Sequence, residues 1–282
     1  LSLSLSLSLS LSLSLSLSSF EKGHEIEKLH LFAMKRLLHV DRRTPNDLIY
    51  GELARFPVYL NSYIKCVKYW LKLVYMNEHR LPFKAYKTLY DLDARGKVTW
   101  ASHIRLCLCR YGFSFVWMNQ GVECVNSFLA CFKQRIIDCR WQDWNNHIES
   151  SERFSLYRLL QVNYLVEVEP YLAMNMDRFI RLALTKFRFG VSDIAVHCQR
   201  YKDNNDRNLT CPLCRSDKED ELHFVFLCPV LADLRKKYIP LKYYQHPVLF
   251  RLVLLLTSRN ENVTHNFAIY LYKAFKCRKS LI

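Results

Sequence analysis

The sequence predicts a mostly α-helical protein: a helical platform, then a small Cys-Cys-His-Cys zinc module, then C-terminal helices. Three observations carry that expectation. Half of the 282 residues are hydrophobic and 14% are aromatic, enough to bury a sizeable core. Six glycines and eight prolines leave few of the tight turns that an all-β design needs. Along several stretches the apolar residues recur at helical spacing rather than in alternation.

Residues 1–19 stand apart. Leu and Ser alternate from Leu1 to Ser18, which is what a CT dinucleotide repeat encodes in any frame. The segment reads as low-complexity and non-structural, at the edge of a truncated or conceptual gene model. The helical region is expected over residues 20–170. Ile26, Leu29, Ala33 and Leu37 form its first stripe, and that helix should end near Val40, before Thr44-Pro45-Asn46. A second helix starts at about Asn46 and breaks at Pro57. From Asn61 to Met76, Ile64, Val67, Trp70, Leu71 and Val74 share one face, which reads as core rather than as a base-stacking platform.

Residues 98–145 continue as helices bearing Trp100, Trp117, Trp141 and Trp144. Cys107, Cys109, Cys124, Cys131 and Cys139 lie among apolar residues here without paired Cys-x-x-Cys spacing, so they read as buried filler. Eleven cysteines is an odd count for a disulfide framework, and no basic leader precedes an apolar run. The longest apolar run, Val248 to Leu256, is interrupted by Arg251 and is far shorter than the ~20 residues of a membrane span. The expectation is a reduced, intracellular protein, nuclear or cytoplasmic, with no membrane partner.

Charge points to the partner. Lys and Arg number 41 against 26 Asp and Glu, a net charge of +15 that attracts polyanions, RNA or DNA first. The surplus is not uniform: residues 101–177 carry seven basic and eight acidic side chains, whereas residues 178–215 carry eight and three. Arg178 to Arg188 reads as a helix, and Arg181, Lys186, Arg188, Arg200, Lys202 and Arg207 are the candidate phosphate contacts.

Residues 171–240 also hold the strongest motif. Cys211-Pro212-Leu213-Cys214 is followed after eight residues by His223 and after four more by Cys228. Two thiolates at that spacing grip one ion from a tight turn, and a His and a Cys on a following helix complete a tetrahedron. Four filled positions leave none for a catalytic water, so one structural Zn2+ is expected. Ser216-Asp217-Lys218-Glu219 offers a capping box for the helix, Phe224, Phe226 and Leu227 supply apolar bulk, and Pro229 opens another helix. Cys198, beside His197, is the alternative ligand. Helices close the chain over residues 241–282.

The string Cys211-x2-Cys214-x8-His223-x4-Cys228, with acidic residues before His223-Phe224 and Pro229 after it, resembles the C-terminal zinc-binding segment of non-LTR (LINE-type) retrotransposon reverse transcriptases. Arg181 to Arg188 and Gln199-Arg200-Tyr201 are similar to the approach to that segment. Ile26-Glu27-Lys28, Lys35-Arg36, Thr44-Pro45-Asn46 and Tyr50-Gly51-Glu52-Leu53-Ala54-Arg55-Phe56-Pro57 resemble the region after the polymerase, and Phe267 to Arg278 the last helix. The resemblance implies a region that holds RNA or target DNA for a polymerase encoded upstream. Catalysis is not implied. The Phe/Tyr-Ala-Asp-Asp string that holds polymerase metals is absent, and Asp91-Leu92-Asp93 has the wrong context. His24, His30 and His39 have no nucleophile at a recognisable spacing, and there is no glycine-rich phosphate loop. The competing readings are a zinc-stapled protein-interaction scaffold and an unexpressed pseudogene product; salt dependence separates the first from nucleic-acid binding.

Overall fold

Helices α1 (Glu25–Leu37), α2 (Asn46–Leu53) and α3 (Val58–Val74) open the part of the chain that the computed structural model describes, which is residues 25–162, 167–199 and 208–281. Pro45 and Pro57 immediately precede α2 and α3, where a missing N–H costs nothing. Next come α4 (Leu81–Ala94), α5 (Trp100–Arg110), α6 (Ser114–Met118), α7 (Val125–Ser150) and α8 (Ser155–Leu159). They are followed by α9 (Pro170–Ala173), α10 (Arg178–Arg188) and α11 (Ala195–Cys198). Beyond a π turn at His223–Leu227 lie α12 (Ala232–Tyr238), α13 (Leu241–Tyr244), α14 (Leu249–Leu256) and α15 (Glu261–Leu281). Among the described residues the β structure is a single antiparallel bridge, Thr210 to Lys218. The mostly helical expectation holds. No helix among these residues is long and apolar enough to cross a membrane.

The chain divides into two units, one of residues up to Leu31 with Phe56–Asp143, the other of Phe32–Arg55 with Trp144–Ile282. The division is not linear along the chain, because α2 belongs with chain far downstream. Trp144 Nε1 donates to the Asp47 carbonyl at 2.9 Å, 97 residues away, and the Glu169 N–H donates to the Glu52 carbonyl at 3.0 Å.

In the first unit the α3 stripe is core, as expected. Val67, Trp70 and Leu71 are fully buried, with Ile64 and Val74 packed at the edge of the same cluster. Trp70 stacks on Trp117 at 5.6 Å, and its Nε1 donates to the Tyr86 hydroxyl at 2.9 Å, which in turn donates to Gln120. The polar tips of Trp70 and Tyr86 are therefore satisfied inside the core. Two readings need correction here. Cys107 is buried and Cys139 half-buried, but Cys109, Cys124 and Cys131 are exposed, since they fall on outward faces of α5 and α7 or before α7. On α1, Ile26, Leu29, Ala33 and Leu37 are exposed, whereas Glu27, Met34 and Leu38 are buried. That helix is apolar on two sides, and the buried one carries Glu27, whose carboxylate accepts the Val58 N–H at 2.7 Å and satisfies an orphan donor at the start of α3.

In the second unit α10 packs along α15, with Phe187 edge-on to Phe267 at 6.4 Å and Leu184, Leu271 and Ala274 buried on the two helices. The zinc-type module sits on this pair: Phe224 stacks between Phe187 at 6.4 Å and Phe275 at 5.0 Å.

Candidate metal centre

The Cys211–Cys214 turn is a tight loop made by backbone hydrogen bonds. The Arg215 N–H donates to the Cys211 carbonyl at 2.8 Å, with Arg215 itself at φ +56°, and the Cys211 N–H donates to the Asp217 carbonyl at 2.8 Å. The Thr210–Lys218 bridge closes the base of the loop. Both thiols therefore face inward from one turn.

His223 and Cys228 come from the π turn, and the π geometry matters. In an α-helix, residues five apart are roughly 140° apart around the axis, so their side chains diverge. Here the Cys228 N–H donates to the His223 carbonyl at 2.8 Å, a wider ring that brings the two side chains back to one side. The expected ordinary helix is replaced for this reason. Its cap also differs from expectation: Asp220 Oδ1 accepts the His223 N–H at 2.8 Å, and Glu219 is used elsewhere.

The four donor atoms lie within 4.8 Å of one another. Cys211 Sγ and Cys228 Sγ are 4.0 Å apart, and Cys214 Sγ is 3.4 Å from His223 Nε2. A tetrahedral zinc with Zn–S of about 2.3 Å and Zn–N of about 2.0–2.1 Å requires S···S of about 3.8 Å and S···N of about 3.6 Å. The spacing matches both. A disulfide would need about 2.05 Å between sulfurs, so these cysteines are free thiols. Cys211, His223 and Cys228 are buried and Cys214 is half-buried. Cys198 is exposed, with its Sγ 3.7 Å from the Ser192 carbonyl, and it is not part of the group.

Burial disfavours three thiolates together here, and a bound cation would offset that cost. Burial, with the Cys211 charge adding to it, pushes the Cys228 thiol up to about 12, and burial raises Cys211 as well. For Cys214 burial also acts upward, but hydrogen bonds from Ser216, Cys211 and His223 outweigh it and bring the thiol down to about 6. Three thiolates at this spacing repel one another unless a positive ion sits among them. On the far side of the imidazole, buried Nδ1 has no hydrogen-bond partner, and Asp217 Oδ2 stands 3.6 Å from it. That is where a carboxylate orients a ligating histidine. The cluster can hold a metal ion.

Four residues that are not among the four donors wire the module to the helices. Arg235 is buried and donates to the Val225 and Cys228 carbonyls, both at 2.8 Å. The Tyr270 hydroxyl reaches the Phe224 and Val225 carbonyls at 2.8 and 3.1 Å. Together they satisfy carbonyls that the π turn leaves open. Glu219 is fully buried; it accepts two bonds from Arg278 at 2.8 and 2.9 Å and the Ala195 N–H at 2.6 Å. Their signal is tertiary, which spacing along the chain does not encode. Pro229 does open the next helical turn, and Phe224 and Phe226 are buried as expected, but Leu227 is exposed because the π turn rotates it outward.

The candidate phosphate contacts divide. Arg188 must be withdrawn: it is buried, donates to Glu52, Glu169 and the Leu256 carbonyl, and presents nothing to a nucleic acid. Arg181 is half-buried and donates to the Met174 carbonyl at 2.8 Å. Lys186 is half-buried on the rim of a cleft. Arg200, Lys202 and Arg207 lie outside the described residues. Comparison with protein-family models, curated proteins and solved structures finds no match to this chain.

Proposed function

We propose that this chain is a non-catalytic nucleic-acid-holding region akin to the post-polymerase segment of non-LTR retrotransposon reverse transcriptases, with one structural zinc as its staple. The convergence of Cys211, Cys214, His223 and Cys228 carries the reading, since these are the residues on which the resemblance is most specific. Four protein donors saturate a tetrahedral ion, so the metal organises the loop rather than activating water. In this reading the net charge of +15 supplies the attraction, and RNA or target DNA is held for a polymerase encoded upstream.

The test is native mass spectrometry of the whole chain with and without Cys211→Ser plus Cys228→Ser, followed by RNA and DNA binding across a salt series. One zinc in the parent, none in the variant, and affinity that falls steeply with salt support the proposal. A folded parent without zinc, or without salt-sensitive binding, sinks it. The whole chain is the right sample, because α2 provides Glu52 to Arg188 of α10.

One observation favours a second reading as a protein-interaction scaffold. Phe250 and Leu254, one helical turn apart on α14, are both exposed. Capture of a protein partner with weak salt dependence, lost in Phe250→Ser, would select it.

A further inference from the structure

Helices α10 and α15 carry matched stripes at i, i+3, i+4 and i+7. On α10 the stripe runs from Phe179 to Lys186, and on α15 from Tyr272 through Phe275 and Lys276 to Lys279. Where the stripes face each other they leave a cleft of about 160 Å³. Its walls are aromatic and aliphatic, and its rim carries Lys186, Lys276 and Lys279 against one acid, Asp193, which stands 3.3 Å from the Lys279 ammonium. Phe179 is 51% exposed, with the Arg178 guanidinium 4.7 Å from its ring centre, and the Lys276 ammonium is 4.9 Å from the Tyr272 ring centre.

We infer that this cleft binds a single-stranded nucleic acid, with unstacked bases against the Phe179 and Tyr272 rings and phosphates on Lys186, Lys276 and Lys279. The inference rests on the proposed function and names the surface that performs it. Cations interleaved with aromatic rings match the alternation of phosphate and base along a single strand, each ring keeping the face opposite its cation for a base. A duplex hides its base faces in its own stack and would leave the exposed Phe179 ring in water. An acidic peptide would match the lysines but offers the rings no flat partner. The cleft is also tied to the metal loop: Phe275 of its wall stacks on Phe224, which follows His223 in the chain. The zinc-type module thereby gains a purpose, since it fixes the ring against which that wall is built.

The experiment is fluorescence anisotropy of the whole zinc-loaded chain with a labelled mixed-sequence 15-nucleotide single strand and the matching duplex, at several salt concentrations. Two variants are compared with the parent: Phe179→Leu, a change at an exposed side chain, and Lys186→Gln/Lys276→Gln/Lys279→Gln. Phe179→Leu is expected to weaken single-strand binding roughly tenfold without altering the salt slope. The triple variant is expected to flatten that slope by about 2. Parent-like binding by both variants overturns the cleft while leaving the proposed function standing. A parent that binds neither nucleic acid overturns both, and duplex binding as tight as single-strand binding, or displacement of the strand by equimolar polyglutamate, overturns the cleft's assignment to single strands.

Discussion

Arg188 Nε and Nη2 both donate to Glu52 Oε1, at 3.1 and 3.0 Å, although 136 residues separate the two in sequence. Both side chains are buried, and a second carboxylate, Glu169, accepts from Nη2 at 2.6 Å. Burial works against the arginine's charge, but the two carboxylates more than compensate and raise it above its ordinary value. The guanidinium is therefore a fixed cation inside the second unit. Glu52→Leu is expected to cost about 3–5 kcal/mol, because it strips a buried charge of its main partner. Glu52→Leu combined with Arg188→Met should recover much of that loss, since an apolar pair of similar bulk leaves no charge to satisfy. Urea midpoints of the two single variants and the double variant decide the matter; simple additivity would refute it.

Metal loading should be indifferent to Cys198 and sensitive to the buried ligands. Cys198→Ser is expected to retain one zinc by native mass spectrometry, because that thiol faces the Ser192 carbonyl and lies outside the four-donor group. Cys228→Ser, by contrast, removes a buried thiol of the proposed site and should both lower zinc affinity and bring the thermal midpoint down. Chelation of the parent should produce the same fall in midpoint, since binding energy at such a site is also folding energy. A chelated chain that melts like the loaded one would refute this.

The Asp93–Arg105 fork predicts a pH dependence in the first unit. Arg105 Nε and Nη2 donate to the two Asp93 oxygens at 2.8 and 3.0 Å, and the hydrogen bonds hold this carboxyl below the usual range. With the folded value depressed, the contribution to stability is present above the unfolded value of about 3.9 and is lost as pH falls through the folded one. Arg105 is partly exposed, which limits the contribution to about 0.5–1 kcal/mol. Arg105→Met should raise the Asp93 titration midpoint in a carbon-13 NMR titration. It should also destabilise the chain at pH 6 but hardly at pH 2.

These pairs show what the sequence can and cannot disclose. The four-donor cluster was legible because all four residues lie within 18 residues, where spacing constrains geometry. The α3 stripe was legible because one face of a helix either is core or is not. On α1 that logic failed, since both faces are apolar and the choice depended on Glu27 meeting the first N–H of α3. Arg188 looked like a surface cation among neighbours of the same charge, and only the return of α2 to α10 reveals its partner. The π turn was equally hidden: helical periodicity carries no sign of one extra residue per turn, although an i, i+5 pair of ligands is itself a reason for one.

The string Tyr50-Gly51-Glu52 has a packing explanation that Gly51→Ala tests. A Cβ at Gly51 would lie 2.5 Å from the Tyr157 hydroxyl and 3.0 Å from the Trp144 ring, too close for either to stay in place. Overpacking of this kind costs about 1–3 kcal/mol, so the thermal midpoint of Gly51→Ala should fall. The Tyr157 hydroxyl, the nearest atom, is buried and makes no hydrogen bond. Tyr157→Phe alone should therefore be close to neutral, because it deletes an unsatisfied polar atom rather than a contact. In combination with Gly51→Ala it should return part of the lost stability by clearing space for the new methyl group. If Tyr157→Phe instead deepens the defect, the hydroxyl has a role in the fold that this packing account does not contain, and the strict need for glycine must come from the Trp144 ring.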